Sequence, residues 1–135
     1  MTELVGIPAP KVPGMWPLVA ELVTQALDRS NGAKNADDVL MALMRRDMQL
    51  WMANDDAHGV RAICVTEIVS HPRRKACFIY LVAGIDRQDW IAHEEELATW
   101  AREQGCGFME TYARVGWQRV LKDWTPAAIV LHKEL

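Results

Sequence analysis

Glu67 is the one carboxylate inside the apolar run from Val60 to Val69. A carboxylate in such surroundings is a candidate general base, because desolvation brings its pKa toward neutrality. A strand residue that faces outward or pairs with a base would read the same way. Cys64, Cys77 and Cys106 each lie in or beside an apolar run, without C-x-x-C spacing. Such thiols are expected to be buried and inert rather than nucleophilic. His93-Glu-Glu-Glu-Leu97 begins like a zinc-binding helix but lacks the second His at 97, and His58, His71 and His132 have no ligand spacing, so no metal site is expected. Arg73-Arg-Lys75 is a basic cluster between two apolar runs. It reads as a solvated loop, or as a contact for a phosphate or an acidic partner. Arg102-Glu-Gln-Gly105-Cys-Gly107 has the spacing of a phosphate-binding glycine loop. It follows a helix rather than opening one, so carbonyls and negative potential face it. Gly105 is expected to end that helix with a positive φ.

These residues must be positioned by a short series of elements. Glu3–Ile7 reads as an edge strand, and four prolines between 8 and 17 impose an extended lead-in. Pro17 suits a helix start, and the spacing of Leu18, Leu22, Val23, Ala26 and Leu27 predicts a helix over 16–29. Asn35 is placed to cap a second helix carrying Val39, Leu40, Leu43 and Met44. Strands follow at 49–53, 60–69 and 75–83, the last two joined by His71-Pro-Arg-Arg74. Their continuous β-branched and apolar content fits strands covered on both faces. A long helix is expected over 86–104, then a strand over 108–113, a helix over 115–123 and a final strand over 127–134.

At 135 residues the chain is expected to form one domain, with half its residues hydrophobic. A net charge of -3 leaves no global basic field for nucleic acid. The longest apolar run, Ala76 to Ile85, is too short to span a bilayer. No secretory signal is visible, and an odd cysteine count without a framework fits a reduced, cytosolic protein.

The order β-α-α-β-β-β-α-β-α-β resembles the GCN5-related N-acetyltransferase fold. That is an α/β (α+β) architecture with a mixed, largely antiparallel sheet. Leu50–Ala53, Val65–Ile68, His71–Arg73, Trp100–Cys106 and Gly116–Lys122 resemble small proteins of this fold encoded by tailed bacteriophages. In active members the resemblance implies that a glycine loop after the central strand cradles the pyrophosphate of acetyl-coenzyme A. Here that stretch is Ala83-Gly-Ile-Asp-Arg-Gln-Asp-Trp90, with Gly84 alone and with Asp86 and Asp89 opposing an anion. Backbone N–H groups of 78–84, among them Phe78, Ile79, Leu81 and Gly84, would hold the thioester, and Arg87 is the nearby base. The family's acid is often a tyrosine in the last helix; that position falls near Val120, leaving Tyr112 as the available phenol beside Glu67 as base.

The leading expectation is therefore a phage-encoded protein of this fold with a degenerate acetyl-coenzyme A site. It would act without cofactor as a virion-associated or partner-binding protein, in the host cytoplasm or the virion. The alternatives are an active N-acetyltransferase using acetyl-coenzyme A, and an accessory protein that inhibits a host protein. Trp90, Trp117 and Trp124 sit near helix ends, so at least one is expected to be exposed for a protein partner or a second copy of the chain.

Overall fold

Apolar runs between turn signals form five strands in one sheet of order β1-β2-β3-β4-β5: Glu3–Ile7, Gln49–Asp55, Gly59–Ser70, Lys75–Gly84 and Phe108–Thr111. The structure is a computed structural model and describes residues 2–84 and 88–135. Asp86 and Arg87 lie outside the described residues, as does the side chain of Asp89. The first four strands are antiparallel neighbours, and β5 runs parallel to β4.

Both faces are covered. Helices α1 (Val12–Leu27) and α2 (Ala36–Met44) bury Val12, Val19, Val23, Val39 and Leu43 against Leu50, Met52, Ile63, Val65 and Leu81. On the opposite face α3 (Gln88–Ile91) and α4 (Glu94–Glu103) bring Trp90 and Leu97 onto Cys64 and Ile79. The two-sided covering explains why β3 and β4 read as continuous apolar runs. On this face the Trp51 indole donates to Thr66 Oγ1 at 3.0 Å and its ring meets Trp100 edge-on at 4.8 Å. This half-buried indole is thus satisfied on both its polar and apolar parts.

Helix ends follow side-chain chemistry. Asn35 and Asp38 form a reciprocal capping box at the start of α2. At the end of α4, Gly105 takes φ 85°. The Cys106 N–H reaches the Ala101 carbonyl and the Gly105 N–H that of Arg102. This is the Schellman arrangement, so the phosphate-like spacing 102–107 is a helix stop.

Four expectations need correction. Helix α1 begins at Val12, with Pro13 in its first turn and Pro17 inside it; Pro13 already supplies the preset φ that starts the helix. The long helix is two helices broken at Ala92–His93, because His93 acts as the N-cap of α4 and its imidazole Nδ1 bonds Glu96 at 2.7 Å. In place of the helix over 115–123 there is a 3-10 segment, Val115–Arg119. Gly116 and the short length leave little to propagate an α-helix. The final strand over 127–134 is absent: residues 125–135 have no regular structure and are exposed throughout. Among the described residues this segment pairs with no strand.

Candidate active site

The site begins where the sheet comes apart. Strands β4 and β5 pair only from Ala76/Phe108 to Ile79/Thr111. The Thr111 hydroxyl closes the last rung by donating to the Ile79 carbonyl at 3.0 Å. Beyond it β4 continues to Gly84 while β5 ends. At the same level the β3–β4 register shifts: Thr66 faces Ile79 and Val65 faces Leu81, leaving Tyr80 as the extra residue of a bulge. Bulges bend a strand and free backbone groups from the ladder, which is why they recur beside active sites.

A cleft of about 320 Å³ opens there. One wall is Ile79 to Gly84 of β4, and the other is Thr111 to Arg114 with Trp117 and Leu121. Trp90, Trp124 and Glu94 close it on the α4 side, and Arg29 stands on the rim beyond α1. A hollow of about 390 Å³ also lies behind the loop between α1 and α2. It is walled by the turn residues 32–36 and lies away from the parting of the sheet.

The three tryptophans expected at an exposed patch are instead packed around this cleft. Trp90 is only 3% exposed, and Trp117 and Trp124 are half-buried against the same core. The Trp124 indole N–H donates to the Glu94 carboxylate. Helix ends do not expose them because the parted sheet leaves an interior wall to be filled there.

Of the expected cofactor-contacting residues, Ile79, Leu81 and Gly84 line the cleft, whereas Phe78 does not. Gly84 has a local reason to lack a side chain: an added Cβ would lie 2.8 Å from the Ala62 Cβ across the ladder. Arg87 lies outside the described residues.

Glu67 is half-buried opposite Phe78, whose other neighbour in register is Glu110. Among the described residues it has no hydrogen-bond or ion-pair partner, and it is not a cleft-lining residue. Tyr112 stands at the cleft mouth, 71% exposed, with its ring edge-on to Phe78 at 4.9 Å. Cross-strand Glu67, Phe78 and Glu110, with Tyr112 beyond, form one row leading into the cleft.

Tyr80 was not legible as a site residue. It lines the cleft at the bulge, and its phenol is pushed above the usual tyrosine value by burial, then by the carboxylates of Asp38 and Glu67. It therefore stays protonated, and its ring packs with the α1–α2 core beneath the Lys34 ammonium at 5.1 Å. Its only signal in the sequence is a tyrosine within an apolar strand, and the bulge that sets it apart is not visible there.

The remaining candidates have structural roles. Burial raises the thiol pKa of Cys64, Cys77 (to about 12) and Cys106, so all three remain thiols near neutrality. The Arg74 guanidinium stacks on Phe108 at 3.9 Å, and Lys75 donates to the Gln104 carbonyl at 3.0 Å. The His93 ring nitrogens are engaged by Glu96 and by Thr2, each at 2.7 Å.

No protein-family model matches the chain, and no curated protein matches it by sequence. Solved structures do match it by shape over nearly their whole length. An aminoglycoside acetyltransferase from an uncultured soil metagenomic sample, in complex with sisomicin, superposes with TM-score 0.72 at 11% identity, covering 99% of this chain and 95% of that one. Glucosamine-6-phosphate N-acetyltransferase from Arabidopsis thaliana gives 0.69 at 15%, covering 99% and 98%. Ribosomal-protein-alanine N-acetyltransferase from Brucella melitensis gives 0.64 at 16%, covering 98% and 100%. The chain has the mixed α+β fold of these acetyltransferases, as its element order suggested. At such identities the fold is what they share.

Proposed function

We propose that the cleft between β4 and β5 binds the acyl-bearing arm of acetyl-coenzyme A and that the protein transfers the acyl group to an amine. The observation that supports this most directly is the parting of two parallel strands beside a bulge, which leaves a cleft of mixed polar and apolar lining along β4. A cleft of about 320 Å³ is at the small end of ligand pockets and suits a slender chain. Arg29 and Arg114 on its lining are available to phosphates, partly offsetting the missing glycines of the 83–90 stretch. Acetyl-coenzyme A supplies an activated thioester when bound.

In this reading the backbone at the Tyr80 bulge orients the carbonyl, and the Tyr80 hydroxyl, kept protonated, donates a proton to the departing thiolate. Tyr112 is the alternative donor at the mouth. Glu67, unpaired and half-buried, is the candidate base, acting through water because it stands outside the cleft. The three neighbours named above act on different acceptors by name, so the acceptor here is an amine without further specification.

Calorimetry with acetyl-coenzyme A on the full chain tests this. Binding in the low micromolar range, roughly -7 to -8 kcal/mol, is expected. Release of coenzyme A thiol with a panel of amines, an aminoglycoside, an amino sugar phosphate and a peptide among them, then tests transfer. Tyr80→Phe is expected to lower kcat roughly 100-fold or more with little change in KM.

A second reading has a specific observation behind it: the Trp124 indole is tied to Glu94 within the cleft, and that carboxylate opposes an anion. It is a phage-encoded protein of this fold with a degenerate site, held in the virion or bound to a host protein. Absence of acetyl-coenzyme A binding at millimolar concentration would favour it over transfer.

A further inference from the structure

We infer that residues 113–124 form a flap over the cleft, latched shut by the Trp124–Glu94 hydrogen bond and lifted as a unit to admit a ligand.

The first support is how this stretch is bonded. The Trp117 N–H reaches the Arg114 carbonyl, the Val120 and Leu121 N–H groups reach that of Trp117, and the Trp124 N–H reaches that of Leu121. All four bonds close within the stretch. The ladder to β4 ends before it, where the Thr111 hydroxyl meets the Ile79 carbonyl and the Tyr112 ring meets Phe78. A segment whose backbone is satisfied locally can leave its seat without stranding those amides.

The second support is how the stretch is seated. Leu121 is buried, and Trp117 and Trp124 are half-buried in the cleft wall. The Trp124 indole N–H donates across the cleft to the Glu94 carboxylate at the start of α4, a charge-assisted bond. Beyond Trp124 the chain is exposed and without regular structure as far as Leu135. The far end of the flap therefore rests on this latch and on the apolar side chains beside it, whereas the near end is fixed at Thr111 and Tyr112.

The third support is the fit to the cleft. Seated, the flap puts Trp117, Leu121 and Trp124 into a space of only about 320 Å³. Lifting it moves one whole wall, and a ligand too large for the seated form selects the lifted one. Arg114 lies on the lining side of the flap, so reclosing brings a cation back onto an anionic ligand. The gating role rests on the reading that the cleft binds acetyl-coenzyme A, whereas the latch can be measured without any ligand.

Amide hydrogen exchange on the free, full chain tests the latch. The Trp117, Val120, Leu121 and Trp124 amides are expected to exchange together, roughly tenfold or more faster than those of β3 and β4. Trp124→Phe keeps an aromatic ring but loses the donor, and Glu94→Ala removes the acceptor. Each is expected to speed exchange of these four amides roughly tenfold or more, as for a lost hydrogen bond to a charged group. The double variant should go no further than either single one, which separates the shared bond from packing. Stopped-flow association of acetyl-coenzyme A should be faster in Trp124→Phe by a similar factor. Flap amides as slow as those of β3 and β4, or unmoved by both single variants, would overturn the latch. Association at the wild-type rate in a Trp124→Phe protein with faster flap exchange would overturn the gating. Absence of binding to either protein would overturn the reading of the cleft and the gating with it, while exchange still decides the latch.

Discussion

From β1 to β4 each strand pairs antiparallel with the next in sequence, and α1 and α2 seal one face with valines and leucines at zero or near-zero exposure. From β4 onward the pairing is parallel and four residues long; then the strands part, and the chain ends in an exposed arm. The first half buries most of its apolar groups within itself, although the outer side of β1 is an edge and Val5, Leu18, Met41 and Met44 face solvent. In the second, backbone at the bulge, a cleft walled by tryptophan and a bare edge all remain open to something else. The contrast separates what holds this fold together from what the fold offers to ligands.

The closed half should therefore carry most of the stability. Leu43 is 1% exposed between α2 and the sheet. Leu43→Ala is expected to destabilise by about 2–5 kcal/mol, from lost transfer energy and the cavity left behind. Urea unfolding measures this. A loss below about 1 kcal/mol would mean that the core over α2 is loosely packed and that the two halves differ less than described.

Gly84 joins the halves, being the last β4 residue paired with β3 and also part of the cleft wall. Gly84→Ala places a methyl 2.8 Å from Ala62 and 3.1 Å from the Arg61 carbonyl. Since one neighbour is backbone, the strand has to shift, at an expected cost of about 1–3 kcal/mol. The shift also moves the cleft wall, so ligand affinity should fall along with stability. Unchanged stability with lost binding would instead assign this glycine to the ligand.

Asn35→Ala tests a smaller element of the closed half. It removes the acceptor for the Asp38 N–H and half of the reciprocal cap, with an expected loss of about 0.5–2 kcal/mol in urea unfolding.

The closed half was the more legible in sequence, for the same physical reason. Val60–Val69 and Lys75–Ala83 read as strands because local pattern and two-sided burial agree. Asn35 read as a cap because capping is a contact over three residues. What failed depends on distant partners. Ile129 and Leu131 carry a strand pattern that becomes a strand only beside another edge. Pro17 looked like a helix start because Pro13 satisfies the same local rule four residues earlier. At least one of Trp90, Trp117 and Trp124 was expected outside because helix ends are usually peripheral, whereas here the parted sheet leaves an inner wall to fill. Glu67 and Tyr112 were visible by residue type, but Tyr80 depended on a one-residue bulge that no local pattern announces.

The smallest expected effect lies at the far tip of the closed half, in the hairpin joining β2 to β3. The Asp55 carboxylate accepts from the Ala57 N–H at 2.7 Å and the His58 N–H at 3.2 Å, with the His58 imidazole Nδ1 at 3.3 Å. The Ala57 bond is the largest cause, burial opposes it, and His58 adds to the lowering, so the pKa falls from 3.8 to about 2. A carboxyl whose folded pKa is depressed adds stability that is complete above its unfolded value, near 3.8 to 3.9. That contribution declines as pH falls through about 2. The carboxylate lies in a surface turn with its side chain 17% exposed; salt screens such a site, and the readout is the local titration rather than global unfolding. Nuclear magnetic resonance should place the Asp55 midpoint near 2, with Ala57 amide exchange rising only below it. A midpoint at the ordinary 3.8 would show that this turn is as loosely held as the arm at the other end of the molecule, and the contrast between the two halves would then stop at the sheet itself.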